Sequence, residues 1–220
     1  MTGLDFASLR QAMVDCQLRT VGVNDPAVVA ALRAVPREAF VPQHQQALAY
    51  VDEDIQLLGD RVLPQPMGTG RLLTYAEVQT GDKALVVGAA PGYAAALLDA
   101  LGAQVVALEE DAGLASQMRQ ALARVGAKAV TVVEGPLVQG WAESGPYDLV
   151  FFDGAVEDIP QTLIAQVAQG GRIVAPVING AGMCQLSVGR VAAGHVAFLN
   201  MADQAVPLLS GFARPRVFQF

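Results

Sequence analysis

The residues best placed to do chemistry begin with the run Ala84-Leu85-Val86-Val87-Gly88-Ala89-Ala90-Pro91-Gly92-Tyr93. An apolar strand enters a glycine-containing turn there, and an Ala-rich helical stretch follows. A second apolar run ends on Glu109, 21 residues after Gly88. This is the layout of a nucleotide-binding βαβ unit, in which Gly88, Gly92 and Tyr93 shape the turn and the Glu109 carboxylate accepts hydrogen bonds from ribose hydroxyls. Two plainer readings stand beside it: a turn required by the fold alone, and an acidic end to a strand next to Glu110 and Asp111. The middle of the turn is Ala90, where such loops commonly carry glycine. Asp153 follows Val150-Phe151-Phe152 at the end of a later strand, where ligands of open α/β sheets gather. It could hold a cofactor or substrate amine or act as a base; an Asp-Gly turn is the alternative. Asp52 and Asp54 could face the same cleft from a loop and are weak catalytic candidates. No His or Cys cluster accompanies them, so no metal site is expected.

The elements that must position these residues follow from periodicity. Phe6, Leu9, Met13 and Cys16 recur at helical spacing and predict a helix over 5–18. Asp25-Pro26 is a helix start, and Pro36 ends that helix. Residues 43–70 read mostly as loop, interrupted by Pro64, Pro66, Gly68 and Gly70, with a helix from Arg71 to Val78. Long connections of this kind are often functional, and this one could equally be a structural cover over the core. Strands are predicted at 83–87, 104–108, 129–133, 148–152 and 172–177, and helices at 93–101, 111–125 and 158–167, the last capped by Asp158. This alternation predicts a mostly parallel sheet covered on both faces. Beyond an Asn179-Gly180 turn, strands at 184–191 and 195–201 predict antiparallel additions at one sheet edge, with a final strand at 216–220. His44 reads as packing or cleft lining, Trp141 as packing with substrate stacking as the alternative, and His195 has no implied partner.

At 220 residues with 53% hydrophobic content and a mean hydropathy of +0.38, the chain can bury a large core. A helical and loop region at 1–75 is expected to cover a core at 76–220, within one compact unit. The net charge of −7 and a pI near 4.7 disfavour nucleic-acid or anionic-membrane binding. Cys16 and Cys184 match no metal spacing and suggest a reduced cytoplasmic protein. There is no basic-then-apolar leader, and no apolar stretch is long enough to span a bilayer.

An ordered set of residues along almost the whole chain resembles the protein-L-isoaspartate O-methyltransferase family. It comprises Gln17-Leu18-Arg19, Gly22-Val23, Asp25, Val35-Pro36-Arg37, Phe40-Val41-Pro42, Ala49-Tyr50-Val51-Asp52, Gln65-Pro66, Gly88, Gly92-Tyr93, Tyr147-Asp148, Ile159-Pro160, Gly170-Gly171-Arg172 and Pro176-Val177. The resemblance implies a Rossmann-like class I methyltransferase fold and S-adenosylmethionine as cofactor. It also implies methylation of isoaspartyl carboxylates in damaged proteins, with a protein or peptide as substrate.

Several positions depart from that family's pattern. Val62 and Pro64 stand where the resemblance implies hydroxyl side chains just before Gln-Pro. Val86 stands at the position of an acid before the turn. Ala89-Ala90-Pro91 replaces a Thr-Gly-Ser pattern, and Gly135-Pro136-Leu137 replaces Gly-Asp-Gly. Three readings stay open beside isoaspartyl methylation. One is a methyltransferase with another acceptor; the second is a noncatalytic fold binding a protein or an altered nucleoside. The third, a dinucleotide oxidoreductase, fits the turn poorly.

Overall fold

The computed structural model describes residues 4–215, so the strand expected at 216–220 lies outside the described residues. The chain opens with α1 (Phe6–Ala12), capped by Asp5, whose carboxylate accepts the Ser8 amide at 3.1 Å. The predicted helix continues through a widened π-helical segment, Met13–Leu18, and a 3-10 turn, Arg19–Val21. α2 (Pro26–Ala34) starts as predicted, with the Asp25 carboxylate accepting the amides of Ala27 and Val28 and Pro26 in the first turn.

The segment predicted as loop holds more structure than expected. Two 3-10 segments, Arg37–Phe40 and Gln43–Leu48, lead to a small antiparallel hairpin of β1 (Ile55–Gln56) and β2 (Val62–Leu63). α3 (Pro66–Ala76) begins five residues before the predicted Arg71 and ends before Val78. Pro66 fits its first turn, and Gly68 and Gly70 lie inside it rather than breaking it. Gly70 permits close packing: a Cβ there would lie 3.2 Å from a methyl of Val23.

Then come β3 (Lys83–Val87), α4 (Tyr93–Ala100), β4 (Gln104–Glu109), α5 (Ala112–Val125), β5 (Val130–Glu134) and β6 (Tyr147–Phe152). α6 spans only Gln161–Ile164, against the predicted 158–167. Asp158 does not cap it. Pro160 stands at the cap, the Asp158 amide donates to the Phe212 carbonyl, and Val167 already opens β7 (Val167–Ile178). β8 (Cys184–Ala192) and β9 (His195–Asp203) complete the chain's strands among the described residues. The Asn179 side chain accepts the amides of Ala181 and Met183 and so forms the predicted turn between β7 and β8.

Seven strands form one sheet in the order β5-β4-β3-β6-β7-β8-β9. β5, β4, β3, β6 and β7 pair in parallel, and β8 and β9 add antiparallel at one edge. This is the Rossmann-like sheet that the resemblance implies. Side chains alternate across β3. Ala84 and Val86 face a core that includes Met13, Leu32, Leu73 and Leu97, while Leu85 and Val87 face one that includes Leu137, Leu163 and Phe212. The first of these cores joins residues of the 1–75 region to the sheet without a break. No helix among the described residues is long and apolar enough to cross a membrane.

After β9 the chain returns across the carboxyl ends of the parallel strands as a strap. The Ala155 amide donates to Pro207, the Leu209 amide to Ala155, and the Glu157 amide to Phe212. Val206, Leu209 and Phe212 are buried, and Phe212 meets Phe152 edge to face at 5.4 Å between centroids. Phe212→Ala is expected to destabilise the protein by about 3 to 5 kcal/mol, the usual cost of emptying a buried phenylalanine site. Urea unfolding checks it, the midpoint falling with an unchanged slope.

Candidate functional site

The carboxyl ends of β3, β4 and β6 converge beneath the strap and the β1–β2 hairpin. β3 delivers the chain into the turn at Gly88 (φ +72°) and Gly92 (φ +104°), both left-handed conformations that favour glycine. The amides of Gly88 and Ala89 both donate to the Leu108 carbonyl, which ties the turn to β4. Tyr93 opens α4 and is buried.

Glu109 ends β4 with no solvent exposure (0%) and accepts four donors. Oε1 accepts Arg61 Nη1 at 2.8 Å, the Glu110 amide at 3.0 Å and the Asp111 amide at 3.2 Å. Oε2 accepts the Ala90 amide at 3.2 Å. The Arg61 Nη2 donates to the Gly88 carbonyl at 2.6 Å, so one guanidinium bridges the strand-end acid and the turn. The reading of Glu109 as a solvated acidic end to its strand is therefore overturned: backbone amides and an arginine surround it. Leu209 of the strap lies on the same spot. A Cβ built on Gly88 would stand 2.9 Å from a Leu209 methyl, and one on Gly154 would stand 2.6 Å from it.

Asp153 follows β6 directly and is buried, its amide donating to the Val87 carbonyl at 3.0 Å. Its Oδ2 has no hydrogen-bond partner. Burial pushes its carboxyl up to about 7, against the pull of Arg61 and then Arg37 and with the repulsion of Glu109. Arg37 is buried too. Its Nε donates to the Ala49 carbonyl and its Nη2 to the Pro64 carbonyl, both at 2.8 Å. The guanidinium lies 5.0 Å from the centre of the Tyr93 ring, and Nη1 and the Tyr93 hydroxyl have no partner. Burial lowers the Arg37 pKa and pushes Tyr93 up to about 12.

The structure thus brings Gly88, Gly92, Tyr93, Glu109 and Asp153 to one end of the sheet. Asp52 and Asp54 stand at the amino end of α3, where their carboxylates accept the amides of Met67 and Gln65, both at 2.9 Å. Their hydrogen bonds are those of helix and loop scaffolding. His44 and His195 are exposed, which removes packing as the role of His44. Trp141 packs against the core as expected, and Cys16 and Cys184 are free thiols. Among the described residues, no group of three or more metal-ligating side chains forms.

Arg61, Arg37 and Leu209 were not recognisable as site residues from sequence spacing. Arg61 and Glu109 are 48 positions apart, and no period links them. The available signal for Arg37 was its place in the Val35-Pro36-Arg37 landmark.

The profile of protein-L-isoaspartate(D-aspartate) O-methyltransferase matches residues 8–204. The chain belongs to this family. A protein-L-isoaspartate O-methyltransferase of Koribacter versatilis is 37% identical over 205 residues, covering 93% of this chain and 92% of that one. One of Methanoculleus marisnigri is 38% identical over 168 residues, covering 76% of each. Two solved structures share the fold. A protein-L-isoaspartate O-methyltransferase superposes with a TM-score of 0.80 at 21% identity, over 92% of this chain and 66% of that chain, just under two thirds of its length. A Plasmodium falciparum structure assigned to the same activity, in complex with S-adenosyl-L-homocysteine, gives 0.79 at 16% identity, over 94% of this chain and 99% of that one.

Family membership places the departures noted above in the structure. Val62 lies in β2, and Pro64 offers its carbonyl to Arg37. Val86 is buried in β3, and Pro136 precedes a 3-10 turn at Leu137–Gln139.

The raised Asp153 pKa predicts a pH dependence with a definite sign. The folded chain keeps this proton up to about pH 7, whereas an unfolded aspartate releases it near 3.8. Between these values the native state binds more protons, so the Asp153 contribution to stability falls as pH rises and is constant above about 7. At about 1.4 kcal/mol per pH unit, the difference between wild type and Asp153→Asn should shift by up to about 4 kcal/mol across that window. Paired urea titrations from pH 4 to 8 test it; a difference that stays flat with pH refutes it.

Proposed function

We propose that this chain transfers a methyl group from S-adenosylmethionine to a carboxylate on a protein or peptide. The observation that carries the reading is Glu109 at the carboxyl end of β4, joined through the Ala90 amide to the Gly88–Gly92 turn. An acid there is placed to accept ribose hydroxyls, and the two glycines let a nucleoside approach the turn. The backbone frame fits such a group once the Arg61 guanidinium and the Leu209 side chain have moved off it. Asp153 has an unpartnered oxygen at the end of the neighbouring strand, suited to a positively charged group of the donor.

When bound, the donor supplies an electrophilic methyl on a sulfonium. An acceptor carboxylate is already ionised near neutral pH, so the chain needs no general base. Its task is to hold that carboxylate in line at a distance of roughly 3 to 3.5 Å. Val62 and Pro64 bring no hydroxyl to this task. The cation beside that segment is Arg37, whose Nη2 already holds the Pro64 carbonyl.

A second reading has its own support. The missing hydroxyls at Val62 and Pro64, together with the four donors on Glu109, suit a noncatalytic member that keeps the fold to bind a partner. Calorimetric titration with S-adenosylmethionine, followed by assay of an isoaspartyl peptide against its aspartyl counterpart, separates the two. Saturable binding at one site per chain, and S-adenosylhomocysteine formed only with the isoaspartyl peptide, is the expected result. Folded protein that shows no binding at millimolar ligand sinks the methyltransferase reading in favour of the noncatalytic one.

A further inference from the structure

We infer that Arg61 and Leu209 form a latch over the nucleoside pocket, closed in the free protein and displaced when the donor enters. The inference rests on the reading of Glu109 as the ribose acceptor. It concerns what already occupies that acceptor. A carboxylate oxygen offers about two lone-pair directions, and Glu109 has three donors on Oε1 and one on Oε2. One ribose hydroxyl can join the Ala90 amide on Oε2, but a ribose whose two hydroxyls engage both oxygens must displace a donor from Oε1. Three of the four are backbone amides, of Ala90, Glu110 and Asp111. Ala90 belongs to the turn and Glu110 and Asp111 lead into α5, where Asp111 also caps the helix by accepting the Leu114 amide at 2.8 Å. Moving these amides means remodelling the turn or the start of α5. The fourth donor is a side chain with several rotatable bonds.

The element that carries Arg61 is a short hairpin whose base is buried at Ile55 and Leu63 and whose tip is exposed at Leu58, Gly59 and Asp60. β1 and β2 pair through two residues each, Ile55 with Leu63 and Gln56 with Val62. A two-stranded hairpin of that size has little stability of its own. Its tip is closed by the Leu57 amide on the Arg61 carbonyl at 2.9 Å and the Arg61 amide on the Leu58 carbonyl at 3.2 Å. Swinging this tip outward releases the guanidinium from both Glu109 and the Gly88 carbonyl in one motion. Leu209 blocks the pocket differently. It bears on Gly88 and Gly154, the two α-carbons left bare at the ends of β3 and β6, and fills the floor that glycine leaves open. Two surface cavities lie elsewhere. One of about 440 Å³ opens at the opposite end of the sheet beside Lys83, Gln104 and Lys128, and one of about 490 Å³ beside β8 and β9 at Val188, Leu199 and Met201.

The latch makes a prediction that a merely structural ion pair does not. Removing a structural contact loosens the pocket and weakens binding; removing a competitor tightens it. The test is calorimetric titration of the full chain with S-adenosylhomocysteine, comparing wild type with Arg61→Gln, Leu209→Ala and the exposed control Arg119→Gln. Gln at 61 keeps an amide donor for Glu109, and Leu209→Ala leaves the ion pair intact, so the two variants fail to fold for different reasons if they fail at all. Both are expected to bind at least tenfold tighter than wild type, with Arg119→Gln unchanged. Wild type treated with trypsin should be cut faster after Arg61 when S-adenosylhomocysteine is present. Equal or weaker binding by both variants, with wild type still binding, overturns the latch and leaves the donor reading standing. Absence of binding by wild type and all variants overturns the donor reading and the latch with it.

Discussion

The site is organised around a buried charge that the fold must satisfy. Glu109 sits at the end of a central parallel strand, out of contact with water. An ionised carboxylate there is tolerated only if hydrogen bonds and a countercharge replace its hydration. Three amides supply the hydrogen bonds and Arg61 supplies the countercharge. Removing one partner of a buried pair commonly costs about 3 to 5 kcal/mol, because the survivor is left uncompensated. The ion pair thus helps to hold the β1–β2 hairpin on the sheet, beside the burial of Ile55 and Leu63 in the core, although the hairpin's own pairing is slight. Asp153 and Arg37 repeat the arrangement less completely. Each is buried, and each keeps one polar atom without a partner.

Two elements that are remote in sequence close this region together. The hairpin covers it from the amino-terminal side, and the strap at 205–212 covers it from the carboxyl-terminal side. The strap is stitched by backbone hydrogen bonds to residues 155–158, just beyond Asp153, and anchored by Phe212 against Phe152. Asp158 and its neighbours are consequently drawn into this stitching instead of opening a helix. At its other end α6 is cut short because the chain enters β7 at Val167, with the Gln166 carbonyl already accepting the Tyr147 amide.

The sheet was legible because its signals are local. Val-rich runs bounded by glycine or charge marked β3 to β6 within a residue or so, and Asp25-Pro26 marked α2. The strand-end positions of Glu109 and Asp153 followed from the same pattern. The start of α3 was missed because Gly68 and Gly70 weigh against helix in isolation, and the packing of Gly70 on Val23 that offsets this cost joins segments far apart in the chain. The occupant of Glu109 was missed for a related reason. An arginine flanked by Asp60 and Val62 in an irregular stretch carries no local sign of its partner, and long-range pairing is fixed only once the sheet is assembled.

The departures from the family's pattern acquire a common physical sense in this setting. Val86 and Pro136 bring no carboxylate to the neighbourhood of the turn, and Ala90 and Pro91 fill it with side-chain carbon. These residues leave little negative charge and little room beside the turn. Arg61 offsets the charge of Glu109. If Glu109 served only the fold, an apolar residue packed against an apolar position 61 would be as stable or more so, since burying an ion pair seldom improves on hydrophobic packing. An ion pair differs from such packing in being exchangeable: the guanidinium can leave, and polar hydroxyls can take its place on the same carboxylate. Glu109 paired with a side chain on a short hairpin is the arrangement that such an exchange requires.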